Sequence, residues 1–342
     1  MSRTTTTAPA VALPGAGRRV TGLAVLAGVL AVLAVLSVAL GSRAMGLGEV
    51  WSGLTDSASD SYPVVTELRL PRTALGLAAG AALGLAGALM QAMTRNPLAD
   101  PGLLGVNTGA AAAVVTSVYF LGFSSFLGTL GFAFAGAAIA AVGCYLIAGA
   151  AAATPARLAL AGAAITAAGY AYVSAIQILD TATLEQMRFW SVGSLVNAHT
   201  VPLGPVIGLI AAAAIGGVLL ARPLNALALG DATATGLGVD PRLLRVAGIA
   251  AITVLAGTAT AACGPIVFVG LVVPHIVRAY TGPDQNWVLP YSALAGAAFM
   301  LGADVLGRVL GRPGELQVGI VCAVAGGPFF LYLVSRRKVA RL

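Results

Sequence analysis

Apolar residues in this chain run in long continuous blocks, separated by short breaks rich in Pro, Gly, Asn and Arg. A block of about 20 apolar residues, rising 1.5 Å per residue as a helix, crosses the hydrocarbon core of a bilayer. Blocks and breakers together predict about ten spanning helices, near 20–40, 71–93, 101–121, 125–149, 157–179, 202–221, 243–262, 265–279, 288–307 and 317–335. A membrane β-barrel would instead alternate polar and apolar positions over segments of about ten residues. The eighth block is short and carries Pro274 and His275. Because proline has no backbone N–H, this block predicts a tilted, broken or partly spanning helix.

Composition narrows the class. The 342 residues are 58% hydrophobic and only 9% charged, too few charges for the surface of a water-soluble domain. The fold class predicted is an all-α integral membrane protein, a polytopic bundle of about ten helices. A Thr-, Ala- and Pro-rich tail (1–19) precedes the membrane region (20–335), and a basic tail (336–342) follows it. Arg18 and Arg19 stand before the first block, which is longer than the core of a signal peptide and reads as a first span. Cys144, Cys263 and Cys322 lie in or beside apolar runs without CxxC spacing and read as small packing residues. His199, His275 and the scattered carboxylates form no metal-ligand or nucleophile–base pattern, so neither a cofactor, nor a metal, nor catalysis is predicted. His275 reads as a packing or capping residue, and no feature points to nucleic acid.

An even number of spans puts both termini on one side, and the positive-inside rule makes that side cytoplasmic. The inner segments then hold Arg3, Arg18, Arg19, Arg95, Arg157, Arg222, Arg242, Arg245, Arg278, Arg336, Arg337, Lys338 and Arg341, thirteen of the 19 basic residues. Arg43, Arg69, Arg72, Arg188, Arg308 and Arg312 are left outside. Each can snorkel to headgroups or pair with Glu67, Asp304 or Glu315. Asp304 stands four residues before Arg308, the spacing of a helical ion pair. For Arg69, Arg72 and Arg308 together, a second reading is docking of an acidic protein surface through carboxylate pairs.

The helix after Arg72 carries Gly76, Gly80 and Gly84, a smooth strip on which another helix can pack closely. It ends in RNPLADPG (95–102), read as a cytoplasmic turn. The segment 222–245 is too polar and Gly-interrupted to span. It is either an ordinary connection or a pair of short helices, broken near Gly236–Gly238, whose apolar side (Leu224, Leu227, Leu229) fills a groove on another protein. The chain has neither GxxxxGKS nor GxxxxGKT, and its sole lysine is Lys338, so ATP hydrolysis, if used, must come from a separate subunit. An ion-driven secondary transporter would want a carboxylate inside the membrane, where Asp304 is the one candidate and Arg308 already accounts for it. A scaffold role has only the Gly-rich packing in its favour.

Six blocks in order carry a resemblance: LRLPR (68–72), GALMQAMTRNPLADPGLLGVNTGA (87–110), RFWSVGSL (188–195), LNALALGDATATGLGV (224–239), GPIVFVGLVVPHIVR (264–278) and GELQVGIVCAVAGGPFFLYLV (314–334). Over roughly 20–338 the chain resembles FecCD-type permease subunits of ATP-driven importers for iron–siderophore complexes, haem and cobalamin, the iron–siderophore members most of all. The resemblance implies a cobalamin/siderophore-permease-like fold and a pair of permeases, homo- or heterodimeric with a lean to heterodimer, in the cell membrane. It also implies two cytoplasmic ATPase subunits and an extracytoplasmic substrate-binding protein. Carried over by residue, Arg69, Arg72 and Arg308 match positions that meet the binding protein, and 224–239 match coupling helices that meet the ATPases. In that segment Leu224, Leu227, Leu229, Asp231, Leu237 and Gly238 are the expected coupling residues. Thr233 and Gly236 depart from the family's pattern toward lower helix propensity.

Overall fold

A computed structural model describes residues 15–41, 44–123, 125–149 and 154–335, and among these every regular element is helical. Helices stand at all ten expected positions: α1 (Ala16–Ala39), α3 (Leu70–Thr94), α4 (Val106–Leu121), α5 (Phe126–Ile147), α6 (Pro155–Leu179), α8 (Leu203–Leu219), α11 (Pro241–Cys263), α12 (Val269–Thr281), α13 (Gln285–Leu310) and α14 (Val318–Ser335). Six of these helices are long and apolar enough to cross a membrane alone, and α8 joins α9 (Ala221–Ala228) across a 45° bend. The remaining helices, α2 (Leu47–Thr55), α7 (Thr181–Trp190) and α10 (Asp231–Gly236), are short connectors. The sequence pattern misses α2 and α7 because local polar contacts start them, not apolar runs. Glu49 accepts from the Gly46 amide at 2.9 Å, and Asp180 accepts from the Thr183 amide at 2.8 Å. Most of the expected tails, and Arg43, lie outside the described residues, but α1 begins at Ala16, so Arg18 and Arg19 are helical rather than part of a tail.

Helix α3 is the central strut, wrapped by α8, α11, α12 and α13. Its most extensive partner is α13, and the glycine strip explains why. A methyl added at Gly80 would lie 2.5 Å from the Gly296 carbonyl, and one at Gly84 would lie 2.2 Å from the Ser292 carbonyl. Gly296 faces back with 2.2 Å to the Gly80 carbonyl, so neither helix has room for a side chain at the crossing. Gly76, one turn further out, meets the Leu301 side chain. Just before α3, Val64–Arg69 winds as a π-helix ahead of Pro71, which has no N–H to return to the preceding turn.

The turn 95–102 does more than connect α3 to α4. It folds back along α3, so that Pro101 and Asp100 pack against Gly270 at the level of Leu83. Opposite it, residues 264–268 run without helical structure before α12 starts at Val269. Pro274 neither ends nor breaks α12, contrary to expectation. Its missing N–H would have bonded the Gly270 carbonyl, and the wholly buried Gln91 supplies the replacement, donating Nε2 to the Gly270 carbonyl at 3.1 Å and to the Leu271 carbonyl at 3.2 Å. The Gln91 Oε1 atom in turn accepts from Arg278.

Candidate functional site

The three arginines converge at one end of the bundle, where α1 and α13 end and α3 begins. They do not stand out from the surface as separate hooks: Arg69, Arg72 and Arg308 are 7%, 9% and 2% exposed. Arg69 donates Nη1 to the Val38 and Ala39 carbonyls at 2.6 and 2.8 Å, capping the C-terminal turn of α1. Arg308 donates to the Ser37 carbonyl at 2.9 Å and to Ser37 Oγ at 3.0 Å. Asp304, fully buried, is the hub: it pairs with Arg72 at 2.8 Å and with Arg308 at 2.9 Å. The other arm of Arg72 reaches Glu315 at 2.6 Å. The pairing proposed for Asp304 and Glu315 is therefore made, while Glu67 stays exposed. Arg188 pairs with Glu185 at 3.1 Å, and Arg312 donates to the Gly41 carbonyl at 3.0 Å.

These charges floor a cavity of about 830 Å³ whose wall includes Glu49, Asp60 and His199. On the other side of Glu315 lies a second cavity of about 500 Å³, lined by Trp190, Gln186, Asn197 and Gln317. Glu315 thus stands between the arginine-floored cavity and a second, mixed polar and apolar chamber beside α7 and α14.

At the opposite end, the segment 222–245 folds as two short helices, with a correction to the break. The chain turns at Gly230, whose φ of 106° suits glycine alone, and not at Gly236–Gly238. Gly238 (φ 81°) instead ends α10, and the Val239 amide returns to the Ala234 carbonyl at 2.9 Å. The expected apolar side is split. Leu224 and Leu227 are buried in their own bundle at 1% and 0% exposure, whereas Leu229 and Leu237 are 66% and 62% exposed. Asp231 pairs with Arg95 at 3.1 Å and with Arg245 at 2.6 Å, which fastens α10 to the end of α3 and to α11. Asn225 of α9 donates to Asp284 at 2.8 Å and accepts from the Gln285 amide at 2.9 Å, which fastens α9 to the start of α13. Burial of Asp284 opposes ionisation, but the hydrogen bonds from Asn225 and Asn286 and the nearby Arg19 charge outweigh it and hold the carboxyl below its usual range. Among the described residues no three His, Cys, Asp or Glu side chains gather to hold a metal.

Both ends are thus tied to the same two helices, α3 and α13. Residues 29–336 match the model of the FecCD transport family. The chain belongs to that family. It is 43% identical over 318 residues to the ferric enterobactin transport system permease protein FepD of Escherichia coli K12, covering 90% of this chain and 93% of that protein. It is 42% identical over 294 residues to the Fe(3+)-citrate import system permease protein YfmD of Bacillus subtilis 168 (84% and 85% covered). It is 38% identical over 324 residues to the hemin transport system permease protein HmuU of Yersinia pestis (91% and 94% covered). A solved metal-chelate type ABC transporter in an inward-facing conformation superposes with a TM-score of 0.81 at 28% identity, covering 93% of this chain and 99% of that one. This FecCD chain is accordingly a multi-pass membrane permease subunit of an ABC importer. Gln91 and the Gly230 turn, which position its elements, were missed in the sequence. Each is a polar or glycine residue with a tertiary partner distant in the chain or a backbone angle that composition does not display.

Proposed function

We propose that this FecCD permease translocates a ferric siderophore inward, with ATP hydrolysed on two separate cytoplasmic subunits and cargo delivered by an extracytoplasmic binding protein. The observation carrying the cargo class is the 43% identity, over nearly the full length, to a permease named for ferric enterobactin. A haem cargo is the second reading, favoured by the 38% identity to a hemin permease over a similar length. Both termini are cytoplasmic, and the second permease is a similar but distinct chain. Uptake of labelled ferric siderophore, haem and cobalamin, measured in a strain lacking this chain and restored with it, tests the assignment. Restored haem uptake without siderophore uptake would replace the first reading by the second.

The binding protein docks over the arginine-floored cavity, whose wall also carries Glu49, Asp60 and Glu315, so that the balance of charge at its mouth sets the encounter. Because Arg72 and Arg308 hold Asp304, substituting them confounds docking with folding, and the rim is the better probe. Asp60→Lys should speed association with an acidic binding-protein surface and His199→Glu should slow it, both by a few-fold at low salt and less at high salt. Association rates indifferent to both changes would remove the docking role. On the inner side, ATPase subunits grip Leu229 and Leu237, the two exposed leucines of the coupling segment. ATP-driven closure of those subunits pushes α9 and α10, and α3 and α13 carry the movement toward the outer cluster.

A further inference from the structure

A groove of about 660 Å³ runs between the first half of α1 and the facing parts of α12 and α13. Thr21, Val25 and Val29 of α1, Ile276 of α12 and Ala295 of α13 form its walls, and among the described residues no carboxylate lines it. From Arg18 to Val29 the groove extends about 16 Å at the helical rise, which is one leaflet of a hydrocarbon core about 30 Å thick. Its inner mouth has a different chemistry. Tyr280 donates its hydroxyl to the Arg18 carbonyl at 3.1 Å, and Tyr291 donates to the Arg19 carbonyl. The two hydroxyls press so closely on α1 that a methyl at Gly22 would lie 2.6 Å from each. The Arg19 guanidinium lies 5.8 Å from the Trp287 ring centre, and its buried Nε has no hydrogen-bond partner among the described residues. Arg18 is exposed, and neither arginine forms an ion pair among the described residues. The nearby Asp284 carboxylate is engaged by Asn225 and Asn286.

Among the described residues, an exposed Arg18 in the groove wall, an Arg19 beside that wall that makes no ion pair, the two tyrosine hydroxyls and an acid-free apolar groove one leaflet deep match the parts of a single ligand class. We propose that this groove is a specific site for an anionic phospholipid of the cytoplasmic leaflet, its phosphate held by Arg18 and Arg19 and one acyl chain lying along Val25 and Val29. Zwitterionic lipid fits the channel equally well but carries an ammonium group that the two arginines repel. Lipid bound there fastens α1 to α12 and α13 at the base of the bundle. The inference rests on the cytoplasmic placement of the N-terminus and is independent of the cargo.

The test uses the assembled transporter in nanodiscs of equal phosphatidylglycerol and phosphatidylethanolamine, released gently and weighed by native mass spectrometry. The unaltered protein should retain phosphatidylglycerol preferentially. Arg18→Gln with Arg19→Gln should weaken that retention roughly 30-fold, about fivefold for each arginine, while Arg18→Lys with Arg19→Lys keeps most of it. Val25→Trp, which fills the channel and leaves the charges, should expel both lipids from this site. Unchanged phosphatidylglycerol retention in the glutamine and tryptophan variants would overturn the proposal. So would disulfide-linked dimers of a Val25→Cys variant, which would make the groove a contact between copies. Labelling of a Gly15→Cys variant from the outer side alone would overturn the leaflet assignment, and that result would leave uptake of the cargo untouched.

Discussion

Asp304 shows how much one residue can determine at this end of the molecule. It accepts hydrogen bonds from Arg72 and pairs with the Arg308 charge, in a position with no access to water. Asp304→Asn should leave Arg72 and Arg308 buried without their shared counter-charge and destabilise the fold by about 3–5 kcal/mol, measured as lost thermal stability in detergent. Glu315→Gln, at a carboxylate with 27% side-chain exposure, should cost about 1 kcal/mol or less. The Asp304–Arg308 pair was legible from its four-residue spacing, but Arg72 joins them across 232 residues of chain and no local pattern announces it. Gln91 is a sharper case. Gln91→Leu should orphan the Gly270 carbonyl and cost about 1–3 kcal/mol. In a Pro274→Ala background the restored backbone N–H can satisfy that carbonyl, so the same substitution should cost clearly less. Equal costs in the two backgrounds, read from a double-mutant cycle, would show that Gln91 does not stand in for the missing donor.

Among the elements, the leucines of the segment 222–245 look alike in sequence and differ in what they bury. Leu237→Asp should uncouple ATP hydrolysis from uptake while leaving the isolated permease as stable as before, because this leucine faces outward. Leu227→Ala should instead lower the permease's own stability by about 2–5 kcal/mol, because it empties a site in the core. Normal coupling in the Leu237 variant, measured in reconstituted vesicles, would remove the ATPase contact from this segment. Glycine positions separate in the same way. Gly84→Ala puts a methyl 2.2 Å from the Ser292 carbonyl and should push α3 from α13 at a cost of about 1–3 kcal/mol. Gly236→Ala meets nothing within 4 Å and should firm α10 by up to about 1 kcal/mol. Periodicity revealed the glycine strip. The break at Gly230 was not visible, since Gly230, Gly236 and Gly238 are equally good places to turn until the backbone angles are known.

For the whole molecule, α3 and α13 join the arginine cluster and the segment 222–245 into one packed unit. Asp284, where α9 meets α13, gives that unit a pH dependence. Its carboxyl titrates below the usual range in the folded protein, so its contribution to stability is fully present above the ordinary carboxyl pKa and is lost as pH falls through the lowered folded value. Thermal stability should therefore drop on acidification, and Asp284→Asn should flatten that part of the profile. A slope unchanged in the variant would assign the dependence to other carboxylates. The membrane class, the ten helical positions and the glycine strip followed from the sequence alone, because an apolar solvent forces every backbone group to be satisfied within its own helix and makes the apolar blocks explicit. Tertiary structure alone decided that Arg72 and Arg308 turn inward onto Asp304 while Arg69 caps α1, that the 95–102 turn folds back onto Gly270, and that Leu224 and Leu227 face the core while Leu229 and Leu237 face out. The physical reason is common to all three: a charge or an apolar side chain in a connection is satisfied by whichever partner packing brings within a few ångströms, and that partner lies far away in the chain.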